Sequence, residues 1–256
     1  MNRFAPRLLL LVLPLLAASA QASDALAQIK AAGVLKIGTE GSYPPFTFHD
    51  ASGKLVGFDV ELAEALAQKL GVKPQFVEGK WDGLIAGLDV ARYDVVINEV
   101  SITPARQTKY DFSAPYIVSK AALIVRSDNH SIKSFADLKG KKSPNSLTSN
   151  FARLAQANGA EVIPVQGFNE SVALLLSGRA DATINDSLSF FDFKKHQPNA
   201  PLKVAAYEAN AESAGVVLRK GNPALVSAIN QALGQIRADG TYRRLSLKYF
   251  GEDVSP

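Results

Sequence analysis

The fold is decided by the stretch WDGLIAGLDVARYDVVINEVSITPARQTKYDFSAPY, residues 81–116, in which a short apolar run leads into polar residues. The apolar run at residues 95–97 predicts a buried strand, and Asn98 and Glu99 follow it directly. Arg106 lies in the next polar segment. In open α/β sheets, ligands bind just beyond the carboxyl ends of the strands. We therefore expect these three polar residues to border a ligand site, although Arg106 taken alone would be a solvated surface charge.

A related pattern occurs a second time along the chain. Residues 92–99, RYDVVINE, reappear as residues 179–186, RADATIND, and an apolar helix pattern that ends in glycine precedes each copy. Each unit is predicted to run helix, strand, helix, strand, with Glu99 and Asp186 at equivalent strand ends. The sequence thus predicts an α/β fold with two similar lobes, which can close on a small molecule between them.

Residues 1–22 have the pattern of a cleaved export signal. A basic start precedes an apolar run at residues 8–16, and Ala20–Ala22 form an A-x-A cleavage pattern. The apolar run is too short to span a bilayer. We expect cleavage between Ala22 and Ser23, with a cut after Ala20 as the alternative, and export of the mature chain. The chain has no cysteine, which excludes a lipid-anchored form.

Composition excludes several classes of function. The chain has 28 Lys and Arg residues, 24 Asp and Glu residues and no basic block, so no nucleic-acid partner is expected. The absence of cysteine excludes disulfides, thiolate metal sites and thiol catalysis. The three histidines are far apart, and no phosphate-binding glycine loop is present. We therefore expect no metal and no cofactor.

Two aromatic residues follow predicted strands and are candidates for a ligand pocket. Tyr43 lies in a loop stiffened by two prolines, and its polar tip favours a position facing the ligand, whereas Phe46 in the same loop is expected in the core. Trp81 is the only tryptophan, and it would be either a core residue or an aromatic wall of the pocket. Between them, Asp59 is predicted to cap a helix.

Several runs stand out together: GFDVELAEALAQKL at residues 57–70, SITPAR at residues 101–106 and YDFSAPY at residues 110–116. They resemble the motifs of family 3 extracellular solute-binding proteins, the periplasmic receptors of polar amino acid ABC importers. The resemblance extends over essentially the whole chain after the export signal. Within the family, EGSYPPF at residues 40–46 and KWDG at residues 80–83 are most similar to L-cystine-binding members.

The resemblance implies a type II periplasmic-binding-protein-like fold, in which a two-segment hinge joins the lobes and the ligand lies in the cleft between them. We expect residues 23–116 and 214–256 to form lobe 1. Residues 117–213 would form lobe 2 together with the hinge crossovers. Two crossings between the lobes suit a hinge that opens and closes on ligand. We expect the protein to be a monomer.

The resemblance also assigns ligand-binding roles position by position. Arg106 would pair with the α-carboxylate of the ligand, because a guanidinium can donate two parallel hydrogen bonds to a carboxylate. Asp186 would hold the α-ammonium. Tyr43 and Trp81 would enclose the ligand, and Ser101 would face it.

A predicted helix in the second lobe begins at the segment formed by Thr148, Ser149 and Asn150. The resemblance places this segment at the ligand, and its free N–H groups and positive dipole end would receive a carboxylate. The same residues would also cap the helix. The second lobe would therefore contribute to the site only when the lobes close.

Three further polar residues complete the predicted site: Glu40, Asn98 and Glu99. Glu99 departs from the family pattern, because many members have a neutral polar residue at this position. Its carboxylate would attract a second ammonium, as cystine or a basic amino acid offers, or it would form a structural ion pair. The ligand side chain stays open between these cases.

The resemblance implies a receptor that captures a polar amino acid, L-cystine in the subgroup it is most similar to, and delivers it to the membrane permease of an ABC importer. No catalytic residue is expected. The alternatives are a basic amino acid as the ligand, an enzyme on the same scaffold, since cyclohexadienyl dehydratases are similar to this family, and a sensory ligand-binding module.

Overall fold

The computed structural model describes residues 24–256, so the predicted export signal at residues 1–22 lies outside the described residues. Two short 3-10 helices occur at Ile85–Leu88 and Phe135–Leu138. The α-helices of the described part are α1 (Ala25–Ala32), α2 (Phe58–Lys69), α3 (Trp81–Leu84), α4 (Pro104–Gln107), α5 (Asn150–Ala157), α6 (Phe168–Leu176), α7 (Ser187–His196), α8 (Pro223–Ala238) and α9 (Thr241–Phe250).

The strands are short, as expected for a chain that alternates between strands and helices. They are β1 (Val34–Thr39), β2 (Ser42–Tyr43), β3 (Thr47–His49), β4 (Leu55–Val56), β5 (Lys73–Glu78), β6 (Val95–Val96), β7 (Tyr110–Phe112), β8 (Ile117–Ser119), β9 (Ala121–Arg126), β10 (Lys142–Asn145), β11 (Glu161–Pro164), β12 (Ala182–Asp186), β13 (Leu202–Tyr207), β14 (Glu212–Ala214) and β15 (Val217–Arg219).

The first lobe is built on a five-stranded sheet with the order β5-β1-β6-β15-β7. Strand β1 is parallel to β5 and β6, whereas β15, from the end of the chain, pairs antiparallel with β6 and β7. Helix α2 packs against this lobe through a buried apolar stripe that includes Leu62 and Leu66. Parallel strands place their carboxyl ends at one edge, and Asn98 and Glu99 follow β6 at that edge.

The second lobe repeats these elements. Strands β12, β9 and β13 form a three-stranded antiparallel sheet, and β10 and β11 form a parallel pair. Helix α5 ends just before Gly159, which has a left-handed φ of 78°, as the glycine-terminated helix pattern predicts. Strand β12 ends at Asp186, where α7 begins.

The two lobes are connected through paired strands. Strand β8 leaves the first lobe and β14 returns to it, and the two pair antiparallel from Ile117 opposite Ala214 to Ser119 opposite Glu212. The prediction of an α/β fold with two lobes and a two-segment hinge is confirmed. The assignment of residues 117–213 to the second lobe stays a prediction, which the position of this strand pair supports.

The prediction that Asp59 caps α2 is wrong. The helix begins at Phe58, and Gly57 stands at the N-cap with a φ of 135°. A Cβ at Gly57 would lie 2.1 Å from the carbonyl oxygen of Phe46, so a larger residue could not hold the chain there. Asp59 is instead buried in the first turn, where its Oδ2 accepts hydrogen bonds from the backbone N–H of Glu99 and from the Tyr116 hydroxyl.

Among residues 24–256, none of the helices combines the length and the apolar character that a membrane crossing requires.

Candidate ligand-binding site

A cavity lies between the two lobes, at the edge where the strand ends meet. The empty space at this site is about 470 Å³, which includes space open to solvent. The first lobe lines it with two carboxyl groups and two aromatic rings: Glu40, Glu99, Tyr43 and Trp81. The second lobe lines it mainly with neutral polar groups and two phenylalanines: Asn145, Ser146, Ser149, Asn150, Phe151, Phe168, Ser171 and Asn185.

The lobes contact each other around this cavity. The Tyr43 hydroxyl donates a hydrogen bond to Asn185 Oδ1 at 2.9 Å. At the edge of the cleft, the backbone N–H and the hydroxyl of Thr148 both donate to Asp82 Oδ1 at 3.0 Å. Asn150 donates from Nδ2 to Ser101 Oγ at 3.2 Å. The structure is therefore that of the closed arrangement, with the cavity between lobes in contact.

Glu99 places a buried carboxyl group at this cavity. Its backbone has a left-handed φ of 50°, held by the bonds that its N–H donates to Asp59 and to the Tyr116 hydroxyl. Its carboxylate makes no hydrogen bond or ion pair within residues 24–256, although only 5% of the residue is exposed. Burial raises the pKa of Glu99 well above its usual range, and the nearby charge of Asp186 raises it further. A cation in the cavity would reverse this effect.

Glu40 is held beside the cavity by Asn98. The amide of Asn98 accepts a hydrogen bond from the Glu40 N–H at 2.8 Å and donates one to Glu40 Oε2 at 2.6 Å. Burial raises the pKa of Glu40 to about 7. Asn98 is itself fully buried and does not line the cavity. Of the two predicted site residues, Glu40 therefore faces the cavity, and Asn98 positions it.

Arg106 is buried beside Trp81, with its guanidinium carbon 5.3 Å from the centre of the indole ring. Nη1 donates to the carbonyl of Ser101 at 2.9 Å, whereas Nη2 is buried without a hydrogen-bond partner among the described residues. Burial lowers the pKa of Arg106 to about 10. Arg106 and Thr148 line a second cavity, which shares Trp81 with the first. Trp81 thus divides one cleft into two adjacent parts.

Both carboxylate oxygens of Asp186 accept hydrogen bonds from neighbouring groups of the protein. Its Oδ1 caps α7 by accepting from the N–H groups of Leu188 and Ser189, at 2.8 and 3.3 Å, and its Oδ2 accepts from the Ser119 hydroxyl in the hinge. Burial raises the pKa of Asp186 to about 6. The residue that lines the cavity at this strand end is the preceding one, Asn185. An ammonium-binding role for Asp186 stays a prediction.

The segment formed by Thr148, Ser149 and Asn150 lies at the start of α5, beside the cleft. Ser149 caps the helix, with its Oγ accepting from the Ala152 N–H at 3.0 Å, and Asn150 faces the central cavity. Asn150 also donates from Nδ2 to Glu212 Oε2 of the hinge strand β14 at 2.7 Å. The first turn of α5 therefore links the cavity, the first lobe and the hinge.

Sequence reasoning missed the cavity residues of the second lobe other than Ser149 and Asn150. For Asn185 a signal was available, because it occupies the same position in the second copy of the repeated pattern as Asn98 does in the first. For Phe168 and Ser171, at the start of α6, and for Asn145, at the end of β10, no motif marked the position. In residues 24–256, no group of three or more His, Asp or Glu side chains could hold a metal ion.

The chain matches the family of bacterial extracellular solute-binding proteins, family 3, over residues 35–252. It is 44% identical over 238 residues to the L-cystine-binding protein TcyA of Bacillus subtilis, an alignment that covers 93% of this chain and 88% of TcyA.

Solved structures give the same result. An ancestral arginine-binding protein bound to arginine has a TM-score of 0.81 and 42% identity, covering 86% of this chain and 99% of that protein. The L-cystine solute receptor of Neisseria gonorrhoeae, in its unliganded open conformation, has a TM-score of 0.61 and 43% identity, covering 91% of this chain and 99% of the receptor. The two sequence identities are nearly equal, so sequence divergence does not explain the lower TM-score of the gonococcal receptor. The receptor is open, whereas the lobes of this chain are in contact, and this difference lowers the TM-score. The chain belongs to family 3 of the bacterial extracellular solute-binding proteins.

Proposed function

Starting from this family, we propose that the protein is the periplasmic substrate-binding component of an amino acid ABC importer. It captures a polar amino acid, L-cystine, between its lobes and delivers it to the membrane permease. The 44% sequence identity to an L-cystine-binding protein, over most of both chains, supports this ligand. Residues 1–22 act as the export signal, and residues 23–116 and 214–256 form the lobe opposite residues 117–213. The protein acts as a monomer.

The observation that carries this proposal is the separation of charge along the cleft. Two carboxyl groups, Glu40 and Glu99, lie at the central cavity, and Arg106 lies on the far side of Trp81 with one buried nitrogen that lacks a partner. A buried charge without a partner costs free energy, which a bound ligand of opposite charge recovers. An amino acid carries an ammonium and a carboxylate a few bonds apart. One molecule can therefore pair its ammonium with the acidic part of the cleft and its carboxylate with Arg106.

In this proposal Arg106 binds the α-carboxylate, and the ammonium lies near Glu99 and Asp186. The charge of Asp186 already acts on Glu99, so a cation that binds beside Glu99 would also be stabilised by the charge of Asp186 behind the cavity wall. Tyr43 and Trp81 enclose the ligand.

The remaining site residues act around this core. Ser101 and Asn150 contact each other across the closed lobes, and Asn98 holds Glu40 in place. Thr148 fastens the edge of the cleft through Asp82, and Ser149 caps the helix that faces the ligand.

Glu40 and Glu99 distinguish between ligand side chains. No Lys or Arg of residues 24–256 lines the central cavity, so these two acids favour a ligand with a second positive group. L-Cystine offers a second ammonium, and a basic amino acid is the alternative. Calorimetric titration of the protein, refolded free of carried-over ligand, with L-cystine, L-arginine and L-glutamine decides between them. L-Cystine should bind tightest, and L-arginine binding tightest would select the basic ligand.

We propose that the protein carries out no reaction on its ligand. The enzyme alternative would use Glu99, because burial raises the pKa of this carboxyl in the direction that suits a general acid. The check is incubation with prephenate and with arogenate, followed by product analysis. Turnover of either compound without amino acid binding would replace the transport function with a dehydratase.

A further inference from the structure

We propose that Arg153, on α5 of the second lobe, joins Arg106 of the first lobe in a two-arginine clamp that closes on the ligand's carboxylate. This inference rests on the proposed function and adds to it a ligand contact in the second lobe.

The two arginines meet at the second part of the cleft. Its polar lining includes Asp82, Arg106 and Lys109 of the first lobe and Thr148 and Arg153 of the second, so both lobes contribute to it. Arg106 is 5% exposed, and its Nη2 is buried without a partner among the described residues. Arg153 is exposed, and its guanidinium makes one hydrogen bond, from Nη2 to the carbonyl of Thr148 at 3.3 Å. Both arginines therefore line the same space, and each guanidinium retains donors without a hydrogen-bond partner among the described residues.

The charge around this space is positive. Three cationic side chains face one carboxylate, and Asp82 already accepts two hydrogen bonds from Thr148 through a single oxygen. After burial, the charge of Arg153 is the next cause that lowers the pKa of Arg106, while Glu99 and Glu212 act in the opposite direction. Arg153 is therefore close enough to Arg106 for the two charges to repel.

Repulsion between the lobes becomes attraction when an anion lies between them. A carboxylate accepts charge-assisted hydrogen bonds on both oxygens, so it can accept from Nη2 of Arg106 and from Arg153 together. The lobes would then close more readily around a ligand with a carboxylate than without one. A ligand shifts an equilibrium between two arrangements only by binding one of them more tightly, and the clamp supplies that difference.

Arg153 has a second, merely structural interpretation, in which it braces the Thr148 segment. The two roles separate by charge. Glutamine can still donate a hydrogen bond to the Thr148 carbonyl but carries no charge, whereas lysine keeps the charge. The variants are Arg153→Gln and Arg153→Lys. The matched control is Arg179→Gln, an exposed arginine of the same lobe that lies before the start of β12, at the end of the strand away from the cleft.

The assay is calorimetric titration of each ligand-free protein with L-cystine and with L-arginine, both of which carry the α-carboxylate. We expect Arg153→Gln to weaken binding about tenfold to a hundredfold, the range for a lost hydrogen bond to a charged group. Arg153→Lys should stay within about threefold of wild type, since it keeps the charge. Arg179→Gln should bind as wild type does.

Each outcome bears on a different statement. Arg153→Gln binding within twofold of wild type would overturn the clamp and leave the proposed function intact. Equal losses in the Gln and Lys variants would also overturn it, because charge would then not matter. If the wild-type protein binds neither amino acid, the proposed function fails, and the clamp fails with it.

Discussion

Arg106 should lower the stability of the ligand-free protein while it makes ligand binding possible. The change that separates these effects is Arg106→Met, which keeps most of the apolar stem and removes the guanidinium. The arginine makes one hydrogen bond, to the Ser101 carbonyl, and one ring contact, with Trp81. Its second terminal nitrogen is buried without a partner within residues 24–256.

The magnitude follows from the charge. The pKa of Arg106 falls to about 10, from an ordinary value of about 12.5, which corresponds to about 3 kcal/mol. A lowered pKa of a cation means that folding disfavours the charged form, so this cost is fully present at neutral pH and disappears only as pH rises through about 10 to 12.5. The lost hydrogen bond and ring contact offset about 1 kcal/mol each. The free energy of unfolding should therefore stay equal or rise by about 1 kcal/mol.

Binding should change in the opposite direction. Removing one partner of a buried, hydrogen-bonded charge pair costs about 2–5 kcal/mol, or about thirtyfold to several thousandfold in affinity. Urea unfolding of the ligand-free variant and calorimetric titration with L-cystine measure the two effects. The matched control is Arg92→Met, which removes an exposed arginine of the same lobe that also bonds one carbonyl, that of Glu78. A variant that loses more than about 2 kcal/mol of stability but binds normally would refute the assignment.

Three other changes follow from the same contacts. Burial raises the pKa of Asp59 to about 7. Because the folded state then favours the protonated carboxyl, the free energy of unfolding should fall by about 3 kcal/mol from pH 5 to 8. Urea unfolding of the wild-type protein and of Asp59→Asn at both pH values tests this, and a wild-type free energy of unfolding that rises with pH would contradict it. Thr148→Val removes the hydrogen bond from the Thr148 hydroxyl to Asp82 and should weaken L-cystine binding about threefold to tenfold, measured by calorimetric titration. An unchanged affinity would show that this contact between the lobes does not contribute to ligand binding. Glu99→Gln should weaken L-arginine about tenfold more than L-glutamine, and equal losses would exclude charge recognition.

The repeated pattern made the arrangement of the lobes predictable. Arg92–Glu99 and Arg179–Asp186 mark two equivalent strand ends because each combines an apolar strand with a polar end. The same residues place the cleft between the lobes. The two-lobe fold could therefore be predicted from the repeat, whereas the family came from the resemblance of residues 57–70, 101–106 and 110–116 to its motifs.

The sequence could not predict which residue of each polar pair, Asn98–Glu99 or Asn185–Asp186, faces the cavity. Asn98 is buried and Glu99 faces the cavity, whereas Asn185 faces the cavity and Asp186 caps α7. Side chains alternate along a regular strand, but β6 ends at Val96 and the left-handed backbone at Glu99 changes the direction of its side chain. Strand β12 instead continues to Asp186. A positive φ at a non-glycine residue has no sequence signature, so the pattern gave the position and not the orientation.

Asp59 shows a second limit. A carboxylate near the start of a helix pattern normally indicates a cap. Here Gly57 approaches the Phe46 carbonyl and begins the helix earlier, which moves Asp59 into the first turn beneath Glu99. The contact that decides this lies between segments distant along the chain, and local propensity does not contain it.

The most direct test of amino acid capture is thermal unfolding of residues 23–256, refolded free of carried-over ligand, with and without each amino acid of a panel. A ligand at a hundredfold over its dissociation constant stabilises by about 2.7 kcal/mol, which raises the melting temperature of a chain of this size by about 5–10 °C. We expect this rise with L-cystine, and its loss in Arg106→Met. No rise with any amino acid would contradict the binding function.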